Sequence, residues 1–159
     1  MSIQDSVKSQ YRASLEMLRQ AVLKCPDALW DDRSYKNEFW NIAYHTLFYT
    51  HLYLQPSEKE FVPWAKNKPG YSDLTKDKEP YSKEDVLAYA SVVEEQVEQQ
   101  VTSLVPDATS EFWWLPFSKL ELQLYNIRHL QQHVGELCER LGVSADVDVE
   151  WVSKLKSEG

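Results

Sequence analysis

The sequence predicts an all-α protein, a four-helix bundle of up-down-down-up topology, and three observations carry that prediction. Four long segments place apolar residues at three- and four-residue steps, the spacing of one buried helix stripe. Glycine is scarce, 4 in 159 residues, which argues against an architecture of strands and tight turns. The link between the second and third segments, residues 56–81, is about twice as long as the other two, enough to cross back along the bundle and leave the middle helices parallel. With 43% hydrophobic residues over this length, the chain is read as one domain spanning 1–159, with 143–159 as a C-terminal tail.

The first helix is expected over 3–24. Ile3, Val7, Tyr11, Leu15, Leu18 and Val22 form its stripe, and Pro26 ends it. The second, over 37–55, reads NEFWNIAYHTLFYTHLYLQ. It is apolar nearly all round and so belongs deep in the domain, with Asn37 as cap and Pro56 just past its end. The third runs over 82–104. Ser82 caps it with Asp85 three residues on, and Val86, Tyr89, Val93, Val97 and Val101 face inward. Glu94, Glu95, Glu98 and Gln99 are expected on its solvated side. The fourth, over 117–142, repeats Leu120, Leu124, Ile127, Leu130, Val134, Leu137 and Leu141, with Gly142 as its stop. In the tail, Trp151 is expected to pin the chain to the body.

The net charge is −8, with lysine and arginine scattered rather than striped, so no nucleic-acid partner is expected. Two cysteines, Cys25 and Cys138, make no disulfide framework and fit a reducing compartment. The first residues lack the apolar core of a signal peptide, and no apolar run approaches the ~18 residues that span a bilayer. A cytoplasmic protein without a membrane partner is expected.

The chemistry concentrates in NIRHLQQHVGEL, residues 126–137. Four residues on a helix bring His129 and His133 to one side, about 5–6 Å apart at Cβ, where two imidazoles can close on one metal ion. His45, midway along the most buried helix, is the candidate third ligand if the second and fourth helices lie antiparallel. His51 is about 240° from His45 around the helix and is left out. Such a histidine pair also arises by chance, and a lone core histidine commonly bonds a carbonyl or a tyrosine. The pattern alone leaves metal binding and core packing both open.

The spans WNIAYHTLFYTHLYL and IRHLQQHVGELCERLG resemble the two metal-bearing helices of the DinB/YfiT-like superfamily. The resemblance implies an up-down-down-up four-helix bundle in which His45, His129 and His133 bind a divalent metal. Trp40 matches an aromatic often found ahead of the first ligand, and Gly135 the glycine after the last. Glu136 departs from the glutamine common in relatives. The resemblance further implies metal-dependent transferase chemistry on a low-molecular-weight thiol, or hydrolase chemistry, on a small-molecule substrate. The alternative is a non-catalytic metal-binding or stress-linked interaction protein with a vestigial site. A purely structural bundle with hydrogen-bonded core histidines is a third reading. Members often pair through a helix face, so a homodimer is one expectation.

Three neutral imidazoles leave a divalent ion its charge, which lowers the pKa of bound water toward ~7 or stabilises a thiolate. Zinc is the first expectation and nickel the second, since imidazole suits both. Glu136 and Asn41 lie on roughly the right faces to orient His133 and His45. Glu136 is also the candidate general base, weighed against a plain solvated carboxylate. Cys138 and Cys25 are read as packed thiols. The aromatic stretches EFWWLPF (111–117) and FVPWAKNKPGY (61–71) either wall a substrate pocket or cover the core. Lys66, Lys68 and Arg128 either meet an acidic substrate or are ordinary surface charges.

Overall fold

The structure is a computed structural model and describes residues 1–155. Among these residues it is all-helical, without strands. Four long helices, α1 (Ile3–Lys24), α3 (Phe39–Leu54), α4 (Lys83–Thr102) and α5 (Lys119–Ala145), are joined by a four-residue α2 (Asp27–Trp30) and a single 3-10 turn at Glu58–Glu60. No helix among the described residues is long and apolar enough to cross a membrane. The last four residues of the expected tail lie outside the described residues.

Local chemistry fixes the helix ends. Ser2 accepts from the Asp5 amide while Asp5 accepts from the Ser2 amide, closing a full capping box on α1. Pro26 ends α1 as expected, and Cys25 is its C-cap. Ser82 and Ser118 cap α4 and α5 in the same sense. Asn37 does not cap α3. Glu38 stands there without a side-chain cap, and the Asn37 carbonyl instead accepts from Arg140 at 2.8 Å. Gly142 does not stop α5, because a helical glycine costs less than breaking three more bonds of a packed helix. The helix runs to Ala145 and ends where Asp146 turns left-handed at φ 52°.

The expected stripes form the core. Tyr11, Leu15, Leu18 and Val22 of α1 meet Val86, Tyr89, Val93, Val97 and Val101 of α4 and Leu130, Val134, Leu137 and Leu141 of α5, with α3 against both. Two expected members fall outside it: Ile3, the first residue of α1, is 48% exposed, and Leu124 is 53% exposed because Leu122, Gln123 and Asn126 are the residues that α5 turns inward there. The α4 acids are not simply solvated. Glu94 pairs with Arg19 and Glu98 with Lys8 across the α1–α4 seam, while Glu95 and Gln99 are exposed. Trp151 is 73% exposed and pins nothing; Val147, Val149 and Val152 pack the tail instead.

Cross-helix bonds give the pairing directions that position the site. Along α3 and α5, Asn126 reaches Thr50 and Gln123 reaches Tyr53, so their contacts step in opposite senses. Along α3 and α4, His51 meets Tyr89 and Gln55 meets Gln96, stepping in the same sense. The long link between α3 and α4 is strapped to the body. Tyr44 donates to Asn67, the Tyr81 hydroxyl to the Lys66 carbonyl, and Trp30 to the Tyr81 carbonyl. Trp64 stacks on Tyr89 at 4.9 Å.

Candidate metal centre

His45 sits mid-way along α3, and the opposed run of α5 brings its middle alongside, carrying His129 and His133. The three rings form a closed triangle. Their centroids are 4.9 Å apart for His45–His133, 5.3 Å for His45–His129 and 4.7 Å for His129–His133. One ligand atom from each lies within 4.8 Å of the others. The Nε2 atoms of His129 and His133 are 3.1 Å apart. Two imidazole nitrogens on one tetrahedral ion at 2.0–2.1 Å stand about 3.3 Å apart, so this spacing already suits a shared cation.

The outward nitrogens set the protonation states. A carbonyl only accepts, so His45 Nδ1, 2.7 Å from the Ser72 carbonyl, carries a proton and leaves Nε2 bare. His133 Nδ1 donates in the same way to Glu136 Oε2 at 2.9 Å, freeing its own Nε2. His129 Nδ1 is buried without a partner. If His129 carries its proton there, two bare Nε2 lone pairs face each other at van der Waals range, and a cation between them removes that repulsion. The donor set thus fits a divalent metal: three imidazoles, two of them held by the acceptor contacts that metal-ligating histidines usually have.

Burial, followed by the neighbouring His133 and His45 rings, pushes the His129 pKa down to about 4. Burial also lowers that of His45, against the opposing pull of the Ser72 carbonyl. Both effects favour the neutral, ligating form of these rings.

The remaining expectations sort by geometry. Glu136 reaches the site by accepting from His133 with one carboxylate oxygen, while its side chain stays 40% exposed. Asn41 makes no hydrogen bond to His45. It is fully buried and donates to the Tyr71 carbonyl at 3.1 Å, so it holds the strap next to Ser72. The orienting group for His45 is therefore a backbone carbonyl of the long link, which carries no side-chain signature in the sequence. Trp40 is buried and donates to Asp31 at 2.9 Å. His51 faces away and bonds Tyr89 at 3.0 Å. Cys25 is buried and Cys138 half-buried, both free and both packed with the core.

The aromatic stretches divide. Trp64 and Tyr71 pack into the main core, whereas Phe61 joins Phe112, Trp114 and Phe117 in a second apolar cluster around Leu52, Tyr53 and Leu122. That cluster reaches the histidines through Tyr49, whose ring lies 4.8 Å from His45. Lys66 is paired with Asp85 and Lys68 lies over Tyr71 and Tyr81, so neither faces the site. Arg128 lines a depression of about 500 Å³ beside His129, together with Tyr125, Gln131 and Gln132. A tighter cavity of about 70 Å³, bordered by Leu54, Val101 and Leu122, lies away from the histidines.

The family model described as the DinB superfamily matches residues 10–137, a span that contains all three histidines. No curated protein and no solved structure gives a significant match to the chain.

Proposed function

The chain belongs to the DinB superfamily, and from that premise we propose that it is a metal-dependent enzyme acting on a small molecule at a divalent cation held by His45, His129 and His133. The observation that carries this reading is the convergence of three ligand atoms within 4.8 Å from two helices. The acceptors behind His45 and His133 support it. The pairing directions of the long helices support an up-down-down-up bundle as the scaffold.

Zinc is the first candidate and nickel the second, on the imidazole donor set. When bound, such an ion supplies Lewis acidity and a lowered pKa for a water or thiol in its open position. The chain's own residues do the rest. Ser72 fixes the ring plane of His45 and Glu136 that of His133. Glu136 acts first as the positioning residue of His133, with general base as its further candidate role. The reaction class is transfer of a low-molecular-weight thiol or hydrolysis, in the cytoplasm.

The experiment is a comparison of zinc- or nickel-loaded protein with chelator-stripped protein across thiol-conjugation and ester- or amide-hydrolysis panels. Turnover restored by the metal and lost in His129→Ala supports the enzyme. A fully loaded protein without turnover on either panel points to the non-catalytic metal-binding alternative.

A further inference from the structure

We propose that Tyr49 and Tyr125 form a ledge beside His129 that binds a small planar aromatic molecule, whose donor group then reaches the three-histidine centre. The proposal rests on the metal reading above and names the substrate class for it.

The register of the two helices builds the ledge. His45, Tyr49 and Tyr53 follow at four-residue steps on α3, and Tyr125, His129 and His133 do so on the opposed α5. Two aromatic stripes therefore run side by side, with the histidines at one end and tyrosines at the other. The Tyr49 ring lies 4.8 Å from His45 and 6.0 Å from His129. Tyr53 is 6.1 Å from Tyr49 and 5.8 Å from Tyr125, bridging the stripes from below.

The floor is rigid and the rim is open. Tyr53 is buried, with Phe112 edge-on at 5.3 Å and the Trp114 indole donating to its hydroxyl at 3.3 Å. Phe117 backs Tyr125 at 5.7 Å. Tyr49 and Tyr125 themselves are half-exposed, and among the described residues neither hydroxyl has a protein hydrogen-bond partner. On the Tyr125 side the ledge opens into a surface depression lined by Tyr125, Arg128, His129, Gln131 and Gln132 of α5. Ring edges and faces set at tilted and perpendicular angles favour a flat aromatic guest over a flexible chain, because edge-to-face contact adds to the area buried.

The test uses the zinc-loaded full chain and three hydroxamates, which share one metal-binding head and differ in their tails: methyl, heptyl and phenyl. Calorimetry is expected to give benzohydroxamate at least ten-fold tighter binding than acetohydroxamate, with octanohydroxamate below benzohydroxamate. Tyr49→Ala and Tyr125→Ala should each erode the phenyl advantage several-fold while leaving acetohydroxamate unchanged. Tyr49→Leu, which keeps apolar bulk, serves if the alanine variant does not fold, and should erode it as well. Equal affinity for the methyl and phenyl compounds, a phenyl advantage that survives the variants, or a preference for the heptyl tail overturns the ledge while leaving the metal centre intact. Protein that retains no zinc removes the metal reading and the ledge with it.

Discussion

His45 Nδ1 meets the backbone carbonyl of Ser72 at 2.7 Å, so a residue of α3 is oriented by the long link that follows it. The link is tied down next to that carbonyl by Asn41, one turn earlier on α3, which donates to Tyr71. α3 and α4 are thus joined by a segment that completes the surroundings of the candidate ligand.

Asn41→Ala removes no ligand, yet it frees the strap at Tyr71. Loss of an outer-sphere partner typically costs 10–100-fold in metal affinity. We expect zinc affinity to fall about ten-fold, measured by competition with a chromogenic chelator at a temperature where the variant is folded. Unchanged affinity would show that Ser72 is held without Asn41.

Glu136 acts on His133 through one hydrogen bond to a charged acceptor. Glu136→Gln keeps an acceptor and loses the charge, whereas Glu136→Ala loses both. Zinc affinity should fall in the order wild type, glutamine, alanine, with the alanine variant about ten-fold weaker. A plain surface carboxylate predicts the same affinity for all three, measured in the same competition assay.

Stability of the metal-free protein should fall with acid. Burial holds the His51 pKa down to about 4 in the folded state, against about 6.5 for a free imidazole. Between those values the unfolded chain binds more protons, so stability is full above pH 6.5 and declines as the pH drops toward 4. The contribution of His51 is at most about 3 kcal/mol. His51→Gln should flatten the pH dependence of urea unfolding over this window, and an identical slope would remove His51 as its source. His129 and His45, also lowered, add to the slope in the same direction, and bound zinc should suppress their part.

Gly135 and Gly142 both lie inside α5, and a Cβ at either meets open space. Alanine at each should stabilise the fold by about 0.5–1 kcal/mol, read as a rise in thermal midpoint. A fall at 135 would contradict the open space found around that position.

The helical fold was legible because its signals are local and repeated. Stripes such as Val86–Tyr89–Val93–Val97–Val101 are written in the spacing, and Pro26 is an unambiguous stop. Gly142 misled because a glycine ends a helix only when tertiary contacts do not continue it. The histidine triangle was legible in part. His129 and His133 share a face by spacing, but His45 joins them only through the opposed packing of α3 and α5. The Ser72 carbonyl left no trace in the sequence, since any residue supplies that atom. The split of the aromatic stretches was equally hidden. Trp64 and Trp114 look alike in sequence, and only the course of their loops sends one to Tyr89 and the other to Tyr53.

The most direct measurement is X-ray absorption on zinc-loaded protein, purified without an affinity tag, together with its elemental analysis. The account predicts close to one zinc per chain, about three imidazole nitrogens at 2.0–2.1 Å, and loss of the bound ion in each of His45→Ala, His129→Ala and His133→Ala. A chain that holds no zinc, or a bound ion whose coordination is unchanged in His45→Ala, would contradict it.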